Sequence, residues 1–151
     1  MKSLLKVTLC IIILGLLYVF YSYLNVRQYD LSFYDASRTR EIEVEVTVRR
    51  DKEWLQSKFL VAIIFHGNTV RYNEYSFIAN IAAAKGYLVL SIQNDNPTDP
   101  PLPQNRAEPF MGRIEVYHKT LTNVDFVLRK MKDIYPEADY DNLLLIGHSN
   151  G

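Results

Sequence analysis

The sequence predicts an α/β fold with a mostly parallel sheet and flanking helices, preceded by one N-terminal transmembrane or signal helix. Three apolar runs, "FLVAIIF" at 59–65, "YLVLSI" at 87–92 and "NLLLIG" at 142–147, have strand length and no polar alternation, which suits strands covered on both faces. Two segments of helical periodicity lie between them, and strand-helix-strand order is what parallel crossovers need. The third observation is an uncharged stretch ahead of all of these, Val7 to Leu24.

That stretch comes first in the chain. It has roughly 18 residues, about 27 Å of helix, close to the thickness of a bilayer core. Tyr18, Tyr21 and Tyr23 gather at its end, where amphipathic rings suit the headgroup region. No small-x-small cleavage site follows it, which favours an uncleaved anchor; a cleaved signal, giving a secreted or periplasmic product, is the alternative. Lys2 and Lys6 before the run, against Arg27 alone close behind it, predict an inside N-terminus and a globular part outside the cytoplasm. The division expected is a membrane anchor or signal over residues 1–27, a connector over 28–40 and an incomplete α/β domain over 41–151.

Within that domain, Ile42, Val44, Val46 and Val48 alternate with Glu43, Glu45 and Thr47, the pattern of a strand with one wet face near a sheet edge. Glu74 to Lys85 carries Phe77, Ile78, Ile81 and Ala82 on one stripe, and Gly86 follows where a helix ends in a left-handed residue. Met111 to Lys132 repeats apolar residues at spacings of three and four. The intervening "NDNPTDPPLPQNRAEPF" holds five prolines and reads as a loop, either lining a substrate pocket or serving as a rigid surface connection.

Composition narrows the function. Lys plus Arg and Asp plus Glu both number 17 among 151 residues, so no basic excess points to nucleic acid. Cys10 is the only cysteine, which excludes an internal disulfide and a cysteine-based zinc site, and three scattered histidines predict no metal centre. No phosphate-binding glycine motif suggests a nucleotide, and no cofactor is expected.

The chemistry concentrates at the end of the last apolar run. Gly147-His148-Ser149-Asn150-Gly151 fits G-x-S-x-G after a buried strand, the context in which that motif has mechanical meaning. A serine alcohol is a poor nucleophile, and a strained strand-to-helix turn makes it project toward a base. Gly147 and Gly151 leave room for neighbouring segments. A helix starting there would also bring free N–H groups to a developing oxyanion, with the Asn150 backbone as one donor. The second donor belongs after an earlier strand, and "FHGNT" follows "LVAII" there: Gly67 permits close approach and Asn68 directs an N–H.

Together "HGN" after one strand, "GHSNG" after another and the helix-strand-helix order between them resemble the α/β-hydrolase superfamily, over roughly Glu41 to Gly151. The resemblance implies Ser149 as nucleophile, Asn150 and Asn68 as oxyanion donors, and His66 as a support of its loop. It also implies a small-molecule ester or related acyl substrate, and an acid and a histidine later in the chain. Those would lie beyond Gly151, so the 151 residues alone are expected to be inactive or nearly so. His148 adjoins Ser149 but is expected to diverge from it, His118 to be a helix-surface residue, and Asp95 and Asp99 to be solvated loop carboxylates. A non-catalytic binding module of the same fold at the membrane is the competing reading, and a nucleotide-binding domain a weaker third.

Overall fold

A computed structural model describes residues 2–55, 58–102 and 111–149. Helix α1, Lys2–Leu24, runs almost directly into strand β1, Val26–Asp35, and a tight turn leads to β2, Arg40–Arg49. A short helix α2, Arg50–Trp54, precedes β3, Leu60–Phe65. A 3-10 turn, Tyr72–Tyr75, opens α3, Ser76–Ala84, which returns the chain to β4, Tyr87–Ile92. After the proline-rich loop a second 3-10 turn, Met111–Arg113, leads into α4, Ile114–Ile134, and β5, Asp139–Gly147, closes the sheet.

The five strands lie in the order β1-β2-β4-β3-β5. β1 with β2 and β2 with β4 are antiparallel, whereas β4 with β3 and β3 with β5 are parallel, so the sheet is mixed and the expectation of a mostly parallel one is corrected. The cause lies in residues 28–40, expected as a connector. They run through β1 into a turn too short for a crossover, where the Asp35 carboxylate accepts from the Ser37 N–H and hydroxyl and from Arg38 Nε. Those bonds hold the Asp35 carboxyl down to about 2. Tyr29, Leu31 and Phe33 point from β1 into the core at period two.

Two further expectations change with this. β2 lies next to the edge strand, but its second face is not wet: flanked by β1 and β4, it buries Glu45 and Thr47 as well as its valines. Glu45 accepts from the Ser76 hydroxyl at 3.2 Å, and burial pushes its carboxyl up from the ordinary range. β5 is not covered on both faces either. It is the outer strand of the described sheet, and Leu145 is 60% exposed.

Each face of the sheet has its own core. On one, Ile42, Val44, Val46, Ile63 and Leu90 meet Val124, Val127 and Met131 of α4. On the other, Ala62, Ile64 and Val89 meet Ala79, Ala82 and Ala83 of α3, small residues that let the helix lie close. Gly86 ends that helix at φ +102°, the left-handed conformation its position predicts. Among the described residues, Leu4–Leu24 alone is long and apolar enough to cross a membrane, and it is solvent-exposed in the monomer rather than a core helix. By length and composition it is a candidate span or signal anchor.

Candidate functional site

The register brings the ends of β4, β3 and β5 level: Ile92 pairs with Phe65, and Phe65 with Gly147. The loops that follow these strands therefore open at one end of the sheet. His66, Gly67 and Asn68 leave β3 there, and His148 and Ser149 leave β5 beside them.

Ser149 has φ +62°, the left-handed region that a residue with a Cβ enters only when its surroundings hold it there. Its side chain is exposed. The backbone before it is tied inward, since the His148 N–H donates to the Phe65 carbonyl at 3.3 Å. Gly67 packs against this turn: a Cβ added to it would lie 3.1 Å from His148 Nδ1 and 3.5 Å from the Ser149 Cβ. A side chain at 67 therefore needs the His148 ring to shift by a few tenths of an ångström. The His148 ring turns to Tyr75, whose hydroxyl lies 2.7 Å from Nδ1, with the ring centroids 5.7 Å apart.

The oxyanion-side loop is held from behind. His66 is 5% exposed, and its Nε2 accepts from the Asn94 N–H at 2.9 Å. That bond requires a lone pair on Nε2, so the proton of the neutral ring is assigned to Nδ1, which donates to the Gly67 carbonyl at 2.9 Å. Val70 N–H closes the turn onto Gly67 O at 3.2 Å, with Thr69 at φ +65°. Among the described residues the Asn68 N–H donates to no acceptor. Asn150 and Gly151 lie outside the described residues.

The proline-rich loop lines a cavity of about 550 Å³ in front of this turn, bounded by Asn68, Arg71, Asp95, Pro97, Leu102 and Val116. Its positioning depends on Arg40 and Lys119, which the sequence did not single out. Asp99 takes both Arg40 Nη atoms, at 2.7 and 2.9 Å, together with Lys119 at 2.8 Å and the Asn96 N–H at 2.8 Å. Lys119 also reaches Asp95 at 2.9 Å, and Arg40 donates to the Asn94 carbonyl at 2.7 Å. The expectation of a solvated carboxylate is therefore corrected for Asp99, whose side chain is 15% exposed. Burial alone would push its carboxyl up, but the bonds from Arg40 and Lys119 outweigh that and hold it well below the usual range. Behind the loop Arg38 donates to the buried Asn123 at 2.8 Å. His118 is on the exposed side of α4. Among the described residues no group of three or more His, Cys, Asp or Glu could hold a metal.

The backbone is similar to those of several solved structures. It superposes on an S-formylglutathione hydrolase from Staphylococcus aureus with a TM-score of 0.58 at 15% identity, covering 83% of this chain and 49% of that one. A ferulic acid esterase from Anaeromyces mucronatus gives 0.55 at 15% identity, covering 82% and 49%. The chain shares its fold with these structures. A second ferulic acid esterase matches at 0.51 and 12% identity, over 82% and 50%. The chain thus spans about half the length of these hydrolase-fold structures. No protein-family model matches the sequence, and no curated protein does.

Proposed function

We propose that this chain carries the nucleophile and the first oxyanion donor of a serine hydrolase acting on a carboxylic ester or related acyl bond. One observation carries the reading: Ser149 sits at φ +62° on a turn in contact with Gly67, beside a backbone N–H at Asn68 that has no described partner. In an acyl transfer the Ser149 Oγ attacks the carbonyl carbon and passes its proton to a base. The carbonyl oxygen gains the negative charge, and the Asn68 N–H meets it. A donor of this kind contributes about 3 to 4 kcal/mol to transition-state stabilisation. Asn150 supplies the second N–H in this reading.

The base is not His66, whose Nε2 is occupied by Asn94, nor His148, whose ring turns to Tyr75. We assign the base and its orienting acid to residues outside these 151, in keeping with the half-length match to hydrolase-fold structures. The esterases among those structures also favour a small ester as substrate. The helix Leu4–Leu24 anchors the domain in the membrane in this reading, with the folded part on the non-cytoplasmic side.

Hydrolysis of a short activated ester tests the enzyme, measured on protein that includes any sequence encoded downstream of Gly151. Ser149→Ala should abolish turnover with an unchanged unfolding midpoint. A variant as active as the parent rejects the nucleophile. Resistance to alkaline carbonate extraction tests the anchor, and recovery of a soluble product beginning near Asn25 rejects it.

A further inference from the structure

The end of the sheet that carries the site is not the end that carries α1. Val26, two residues after α1, pairs with Arg49 at one end of β2, whereas Val44 pairs with Ile92 at the site end. Arg49 lies five residue steps along β2 from Val44, about 17 Å at the rise of an extended strand.

The junction between helix and sheet is also rigid. Arg49 is 5% exposed and spends its guanidinium on both sides of the joint. It donates to Ser22 Oγ at 3.1 Å, to Tyr18 at 3.4 Å and to the Ala84 carbonyl at 3.2 Å, while Nε holds Asp51 at 2.9 Å. The Asn25 carbonyl accepts from the Arg50 N–H at 2.9 Å, so no linker intervenes. A guanidinium satisfied on several sides in one place is a stiff clamp. Beside the joint, α2 ends in Trp54 at 83% exposure, followed by Leu55 at 63%, with Arg50 and Lys85 exposed nearby. An exposed tryptophan followed by an exposed leucine beside the end of a membrane helix fits the headgroup layer of a bilayer.

We propose that the Arg49 clamp fixes the folded domain on its anchor with Trp54 and Leu55 in the headgroup layer and the Ser149 site opening away from the bilayer, so that the substrate is a water-borne acyl ester rather than a membrane lipid. This rests on the anchor and the nucleophile proposed above. The orientation is a matter of geometry alone and does not need turnover to be seen.

The chain contains a single tryptophan, which serves as the probe. The full chain, with Cys10→Ser and Pro97→Cys carrying an environment-sensitive dye, is reconstituted in phosphatidylcholine–phosphatidylglycerol vesicles with or without brominated acyl chains. The expected result is blue-shifted Trp54 emission that brominated lipid quenches, and dye emission at 97 that it does not. Arg49→Ala, or the milder Ser22→Val, should free the joint and let lipid quench the dye in part while α1 stays inserted. Quenching at both positions in the parent, or at 97 alone, overturns the orientation, as does unquenched Trp54 in a chain that floats with the vesicles. A chain that does not float removes the anchor and the proposal together. Where Ser149-dependent turnover is present, a soluble short ester should be cleaved and the vesicle phospholipid left intact; phospholipid cleavage overturns the substrate class while leaving the nucleophile standing.

Discussion

The two loops that meet at the site are built differently. The turn after β3 starts from two buried residues, His66 and Gly67, and is fastened to the β4 loop by the His66 side chain, which spans the Asn94 N–H and the Gly67 carbonyl. The turn after β5 lies on an exposed strand, and the residue before its serine is held by one backbone bond to Phe65 and by Tyr75. An oxyanion donor gains from being fixed before charge develops, because no reorganisation is then needed at the moment of reaction. A nucleophile needs projection, which the strained φ at Ser149 supplies. The difference teaches that the site's accuracy resides in the β3 loop, and that the elbow is placed against it by contact at Gly67.

Breaking that contact should have the largest effect. Gly67→Val puts branched carbons against His148 and Ser149, which should lower ester turnover by roughly 100-fold or more and cost about 1 to 3 kcal/mol of stability. Kinetics and urea midpoints check both, and near-normal turnover would mean the two loops are not coupled there. His66→Ala attacks the fastened loop itself. It leaves the buried Asn94 N–H without its acceptor, for a loss of about 1 to 3 kcal/mol in urea unfolding, and turnover should fall through kcat as the Asn68 N–H loses its position.

Asp99→Asn loosens the second wall of the site. Because the folded-state carboxyl is held below its unfolded value, its stabilisation is complete above the ordinary carboxylate range and is lost as pH falls through the folded value. The parent should exceed the variant by about 1 to 2 kcal/mol at neutral pH. The gap in urea midpoints should begin to narrow below about pH 4 and close only as the lower folded value is passed, and a constant gap would show that the charge is not what holds the loop. Smallest is Tyr75→Phe on the elbow side. Losing one exposed hydrogen bond to His148 should cost under about 1 kcal/mol and change turnover only slightly.

What was legible in the sequence follows the same division. Periodicity found α3, α4, β3 and β4 because their apolar stripes repeat within a few residues, and the G-x-S-x-G spacing marked the turn that strains Ser149. The alternation of Tyr29, Leu31 and Phe33 in β1 was equally local, but the polar and charged residues between them give the segment the look of a connector. Missing β1 made the sheet look more parallel than it is. The Arg40–Asp99 pair could not be read, because 59 residues separate its members and nothing in either neighbourhood names the other. Burial of Glu45 was hidden for a related reason: a strand's alternation shows which residues share a face, while a helix arriving from elsewhere decides whether that face is wet.

The central claim is that Ser149 is a reactive nucleophile poised against the Asn68 turn. Fluorophosphonate treatment followed by peptide mass spectrometry measures it directly, on protein that includes any sequence encoded after Gly151 and on its Ser149→Ala variant. The account predicts one phosphonyl adduct, on the peptide containing Ser149, absent from the variant. A folded protein that takes no adduct at Ser149, or a Ser149→Ala protein that labels as strongly as its parent, would contradict it.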